Sequence, residues 1–168
     1  PGRQCRGHPC SSSRLIMYAV RQWSTRHAGA LETLYLTTAP LLLRLLVLLN
    51  RMSGKRLDPL VTWLEKILKG FLFDCQMCGE CVLSSTGMTC PMNCPKQIRN
   101  GPCGGVREDG CCEVNPQMCC VWVAAWEGSH RMRHGQRIEE LRFAVDRGRT
   151  GTSSWLALAR TKPAEREL

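Results

Sequence analysis

Ten of the twelve cysteines in this 168-residue chain lie between Cys75 and Trp122, in CQMCGECVLSSTGMTCPMNCPKQIRNGPCGGVREDGCCEVNPQMCCVW. Cys75, Cys78 and Cys81 form a C-x2-C-x2-C run; Cys90 and Cys94 each precede a proline; Cys103 and the pairs Cys111-Cys112 and Cys119-Cys120 follow. Cysteines at this density hold metal ions or iron–sulfur clusters, or they pair as disulfides. The first three match the opening of a ferredoxin-type run, C-x2-C-x2-C-x3-C-P. The fourth departs from it, since eight residues intervene before Cys90, although Pro91 follows as the pattern asks. Structural zinc more often uses two CxxC-like pairs. No histidine lies between Cys75 and Trp122, so zinc here would be bound by thiolates alone.

The segment that carries these cysteines is rich in Gly, Pro, Asn and Ser. It buries too little carbon to offset a backbone ordering cost of roughly 1–2 kcal/mol per residue, and so needs cross-links. Closely spaced cysteines suit thiolates converging on one ion or cluster better than long-loop staples. The N-terminal PGRQCRGHPCSSSR lacks the apolar core of a secretion signal, although the sequence starts at Pro1 without a methionine. The expectation is a metal or cluster module in the reducing cytoplasm, with a disulfide framework as the alternative.

A net charge of +9 raises the question of nucleic acid. The charge is spread over an N-terminal arm with no acidic residue before Glu32 and over HRMRHGQR at 130–137, without interleaved aromatics that would stack bases. A solvated surface or a docking face for an acidic partner is expected instead, and no nucleic-acid partner. His8, His27, His130 and His134 read as surface or loop residues.

The flanking elements read as helices. Leu15, Ile16, Ala19, Val20 and Trp23 share one face, with an end at Gly29. A second helix runs from Leu31 towards Thr38, where Pro40 breaks or kinks it. Leu41–Leu49 is apolar almost all round, but nine residues are too few for a membrane span, so a buried or partner-packed helix is expected. Asp58 as N-cap and Pro59 at the first position open the clearest helix. Its stripe of Leu60, Trp63, Leu64, Ile67, Leu68, Phe71 and Leu72 is expected to back the cysteine module, leaving Glu65 and Lys69 on the wet side.

Within the module, Pro95 and Gly101 frame a short helix at Lys96–Asn100, with Cys94 at its N-terminus. Glu108-Asp109-Gly110 reads as a turn, with a hairpin between Val106 and Glu113. Asn115-Pro116 reads as a cap starting a helix through Met118, Val121, Trp122 and Ala125. Gly87, Gly101, Gly104 and Gly105 would supply positive-φ bends, and Met88, Met92 and Met118 core filler. Trp155-Leu156-x-Leu158 offers a short apolar anchor after a Thr152/Ser153 cap. The fold class is mainly α with a small irregular cysteine-rich module, short helices and at most a short hairpin. The domains are a disordered arm (1–13), a helical lead-in and docking region (14–73), the module (74–128) and a basic C-terminal extension (129–168).

The stretch FLFDCQMCGECVLSSTGMTCPMNCPKQIRNGPCGGVREDGCCEVNPQMCCVWVAAWEGSHRM resembles the methylenetetrahydrofolate reductase C-terminal family, with CPMNCPK, NGPCGG and CEV as its most specific strings. The likeness is strong over about 58–133 and looser from Arg14, and GTSSWLAL resembles the end of the stand-alone form. This family occurs fused to, or encoded beside, the flavin-dependent reductase barrel, and as a separate subunit in acetogenic bacteria. Its pattern of eight cysteines maps onto Cys75, Cys78, Cys81, Cys90, Cys94, Cys103, Cys112 and Cys120, leaving Cys111 and Cys119 as extras. The resemblance implies two four-cysteine sites, for iron–sulfur clusters or for zinc.

The chain shows neither the strand–helix alternation of a flavin barrel nor a Gly-rich dinucleotide fingerprint, and no catalytic triad. It is not expected to be catalytic alone. The resemblance implies an accessory protein holding one or two [4Fe-4S] clusters and exchanging electrons with a separate flavin-dependent methylenetetrahydrofolate reductase. The alternatives are a structural all-thiolate zinc module that tethers or stabilises a one-carbon enzyme, and a nucleic-acid-binding zinc protein.

Overall fold

A computed structural model describes residues 12–164, and side chains from 16 to 161. Five α-helices dominate: α1 (Ser12–Arg26), α2 (Ala28–Ser53), α3 (Asp58–Phe73), α4 (Val121–Ser129) and α5 (Ser154–Ala164). No β-strand occurs among the described residues beyond one isolated antiparallel bridge between Cys111 and Cys119. The mainly helical reading holds. Most of the expected arm, with Cys5, Cys10 and His8, lies outside the described residues, but Ser12 and Ser13 already belong to α1.

Pro40 does not break the second helix. It sits inside the 26-residue α2, where the hydrogen bond it forfeits belongs to the Leu36 carbonyl. Leu36 and Pro40 are both exposed, so water can satisfy that carbonyl and the helix continues. The nine-residue length argument against a membrane therefore fails, because one stretch within Ala28–Phe73 is long and apolar enough to cross a bilayer by length and composition. In this fold α2 instead holds protein on two flanks. Leu46 packs with Val61, Leu156 and Ala159, and Glu32 is buried against the chain after α4.

The polarity of α3 is the reverse of the expected one. Leu60, Trp63, Leu64, Ile67, Leu68 and Phe71 are exposed, whereas Glu65 is 2% and Lys69 7% exposed. The partners that permit this lie far along the chain. Ser153 and Ser154 hydroxyls and the Trp155 N–H bind the Glu65 carboxylate, and Lys69 Nζ donates to Glu65 Oε1 at 2.6 Å and to Ser154 at 2.8 Å. A buried ion pair needs its remaining hydrogen-bonding capacity met, and α5 meets it. α1 repeats the pattern: Ile16 and Trp23 are exposed, while buried Ser24 donates to the Leu72 carbonyl (2.7 Å) and Thr25 bonds Thr89 (3.0 Å).

Asp58 does not cap α3, because a 3₁₀ turn at Gly54–Leu57 leads straight into the helix; Asp58 pairs with Arg160 at 2.7 Å instead. The Ser153 cap is present, accepting from the Leu156 N–H at 3.2 Å. Trp155 and Leu156 anchor α5 on α2 as expected. Buried Met88, with Met92 against it, fills a core of Ala28, Leu83, Cys90 and Met132.

Between α3 and α4 the chain is irregular. No helix forms at Lys96–Asn100, since Gln97 is left-handed (φ 51°) and the Trp122 indole N–H holds the Ile98 carbonyl at 3.1 Å. A 3₁₀ turn forms earlier, at Pro91–Asn93, so Cys94 follows a turn instead of opening a helix. Arg107–Gly110 is the expected turn, but the pairing it leads to joins Cys111 to Cys119, not Val106 to Glu113. Asn115 closes a turn on Gln117 and Met118, and α4 begins only at Val121. Gly87 and Gly101 have positive φ, as do Gly79 and Gly110, but Gly104 and Gly105 do not.

Candidate metal centres

The first three cysteines follow directly from the end of α3. Asp74 ends that helix in a left-handed conformation (φ 51°), with its own N–H and that of Cys75 turned back onto the Gly70 and Lys69 carbonyls. Met77 (φ 47°) and Gly79 (φ 77°) add two more left-handed bends. The C-x2-C-x2-C run is thereby wound against Glu65 and Lys69. Cys75, Cys78 and Cys81 line one small void with Cys90, Glu65, Lys69 and Arg99.

Backbone N–H groups aim at the sulfurs of this set. Met77 N lies 3.4 Å from Cys75 Sγ, the Leu83 N–H faces Cys81, and the Met92 and Gln76 N–H groups face Cys90. Such donors favour thiolate over thiol. Cys75 and Cys90 share a hydrogen bond that, with the Met77 N–H and Lys69, draws the Cys75 thiol down to about 6 and pushes Cys90 up. Burial works against the Lys69 ammonium, but Cys81 and Glu65 outweigh it and hold its pKa above the ordinary lysine value. Arg99 adds a second cation, and its buried Nη1 has no hydrogen-bond partner among the described residues. An orphaned guanidinium nitrogen beside four sulfurs suits an anionic thiolate centre.

The remaining four family-pattern cysteines gather elsewhere. Cys94, Cys103, Cys112 and Cys120 line a second void with Lys96, Glu113 and Trp122. Cys120 immediately precedes α4 and packs with Trp122 and Ala125. Lys96 pairs with Glu113, whose Oε1 lies 3.6 Å from Cys103 Sγ. Neither void is lined by Cys111 or Cys119. Among the described residues, no three Cys, His, Asp or Glu side chains close to metal-binding spacing. The eight sulfurs are sorted into two sets without being drawn onto a point. His27 and His130 are exposed, and His134 turns Nδ1 to Glu32 at 2.9 Å.

Sequence reasoning missed the groove beside the first set. A cleft of about 800 Å³ runs between α2 and α3, walled by Leu34, Leu42, Leu68, Leu72, Phe143 and Trp155, with Cys81 on its lining. Cys81 is thus reachable from the groove even though the surrounding protein pushes its thiol up against the pull of Lys69. Opposite the helices, Leu141 (88% exposed) and Phe143 (94%) stand on a strap that Asn100 and Arg99 pin through the backbone of Arg142 and Phe143. Two exposed apolar residues on a fixed strap were the available signal.

A family model described as methylene-tetrahydrofolate reductase C terminal matches residues 55–147, more than half of the chain and all ten cysteines between Cys75 and Cys120. The chain belongs to the methylenetetrahydrofolate reductase C-terminal family. The matched region starts just before α3 and ends beyond the strap, so it contains both four-cysteine sets. No curated protein and no solved structure matches the chain.

Proposed function

We propose that this protein is an accessory electron-transfer subunit holding two [4Fe-4S] clusters, one on Cys75, Cys78, Cys81 and Cys90 and the other on Cys94, Cys103, Cys112 and Cys120. The observation that carries the reading is the sorting of eight cysteines into two separate four-cysteine voids. When bound, such clusters supply one-electron carriage. The chain's own residues ligate and shield. Lys69 and Arg99 balance negative charge at the first set, and the N–H groups of Met77, Leu83 and Met92 hold its sulfurs.

The partner is a separate flavin-dependent methylenetetrahydrofolate reductase, docked on the exposed apolar faces of α2 and α3. An apolar surface on this scale is typical of an interface. Cys81, on the groove lining, would be the first-set ligand closest to that partner. The compartment proposed is the cytoplasm, where metal-ligating thiols are kept reduced and disulfides are transient.

A second reading has its own support. The voids measure about 20 and 10 Å³, the scale of a single atom, which suits one zinc ion in each. In that case the protein stabilises or tethers its partner without redox work. Anaerobic purification separates the two: a brown protein with broad absorption near 400 nm and acid-labile sulfide supports clusters, and a colourless one with zinc and no sulfide supports the structural module.

A further inference from the structure

Cys111 and Cys119 line neither void, yet the fold sets them directly opposite each other. They form the isolated antiparallel bridge, whose two hydrogen bonds run from Cys112 N to Met118 O and from Cys120 N to Gly110 O, both 3.0 Å. These bonds flank the pair without joining its members. That is the narrow register of an antiparallel ladder, which brings facing Cα atoms to about 4.5 Å. A disulfide spans Cα separations of about 4.4–6.8 Å. Alternation along a strand sends neighbouring side chains to opposite faces, so Cys111 and Cys119 share one face while Cys112 and Cys120 turn to the void behind. Two thiols can therefore be joined here without drawing on the four that line the second site.

We propose that Cys111 and Cys119 are a reversible cross-strand disulfide site, a redox latch on the hairpin that carries Cys112 and Cys120. The oxidant is a low-molecular-weight disulfide. Half-buried Cys119, the more accessible of the two, attacks it as the thiolate, forming a mixed disulfide and releasing one small thiol. Cys111, deprotonated in turn, then attacks the Cys119 sulfur and displaces the second small thiol. Two protein thiols become one disulfide, and the external disulfide takes the two electrons and two protons. The closed latch holds Cys112 and Cys120 in register whatever the second site contains, so the proposal does not rest on the cluster reading.

The test uses the full chain purified anaerobically with its own metal. Samples are equilibrated in glutathione buffers from fully reduced to fully oxidised, trapped with N-ethylmaleimide, digested and read by mass spectrometry, with metal content measured in parallel. The expected result is a Cys111–Cys119 linked peptide and the loss of two alkylatable thiols at unchanged metal content. Cys119→Ser and, independently, Cys111→Ser should abolish that link while retaining metal. Full alkylation of both cysteines in the oxidised buffer would overturn the proposal, as would glutathione adducts on each without a link, or pairing with other cysteines. Failure of the cluster reading would show separately, as zinc in place of iron with the link intact.

Discussion

Lys69 Nζ donates to Glu65 Oε1 across 2.6 Å, both side chains being buried, while the leucines of the same helix face outward. The pair joins three parts of the molecule. Glu65 is held by Ser153 and Ser154 at the start of α5, and the Lys69 ammonium also acts on Cys75 and Cys81, favouring their thiolates. Folding of the C-terminal helix and the electrostatics of the first cysteine set are thus coupled through one turn of α3.

Removing one member of that pair strands the other. Glu65→Gln should destabilise the isolated chain by about 3 kcal/mol, whereas Trp63→Ala, at a side chain 57% exposed, should cost less than about 1 kcal/mol. Denaturant midpoints of the two variants check the order. A larger loss at Trp63 would mean that α3 buries its apolar stripe after all.

The same carboxylate gives the stability a pH dependence. Burial pushes Glu65 up, but Lys69 and the serine hydroxyls outweigh it and leave its pKa below the ordinary carboxylate value. Glu32 is lowered too, with burial again outweighed, there by Arg133 and His134. A depressed carboxyl stabilises fully above its unfolded pKa and loses that contribution as pH falls through the folded one. Stability should therefore be flat above the usual carboxylate range and drop in acid below it. The acid limb should be shallower in Glu32→Gln and Glu65→Gln when unfolding is followed by circular dichroism across pH, and an unchanged limb in both would remove these groups as its source.

Gly87 and Gly128 are pressed together where the cysteine loop meets α4. Gly87 has φ 60°, and a Cβ on it would run into the Ala125 carbonyl and Gly128, just as one on Gly128 would meet the Gly87 backbone. Either alanine substitution should cost about 2 kcal/mol or more and reduce metal retention. Gly101→Ala, strained at φ 68° but with open space around it, should cost about 1 kcal/mol. Thermal melts of the three variants test the ranking.

The outward face of α3 should matter to a partner more than to the fold. Leu68→Lys or Phe71→Ser should leave the melting temperature nearly unchanged, improve solubility, and weaken binding to a barrel-type reductase by about tenfold or more. Titration calorimetry with that reductase reads the effect, and unaltered affinity in both variants would place the interface elsewhere.

The helices were legible because their periodicity is local: α3, the Ser153 cap and the α5 anchor all stand in the sequence. Which face turns inward was not, because α3 buries Glu65 only through serines nearly ninety residues away. Pro40 misled for a related reason, since its cost depends on whether water reaches the Leu36 carbonyl. Of the candidate site, the eight cysteine positions came from the family pattern. Their division needed the chain reversal at Asp74 and the turn at Pro91–Asn93, neither of which has a periodic signature. The Cys111–Cys119 register depends on a turn whose pairing partner the sequence misplaces.

The two-site division is tested most directly by iron, acid-labile sulfide and zinc analysis of the anaerobically purified chain beside Cys78→Ser and Cys112→Ser. The wild type should carry about eight iron and eight sulfide per chain, and each variant should lose about half of both, while Cys119→Ser loses none. Zinc without sulfide would contradict the cluster reading. Equal losses in Cys119→Ser and Cys78→Ser would contradict the division of the cysteines itself.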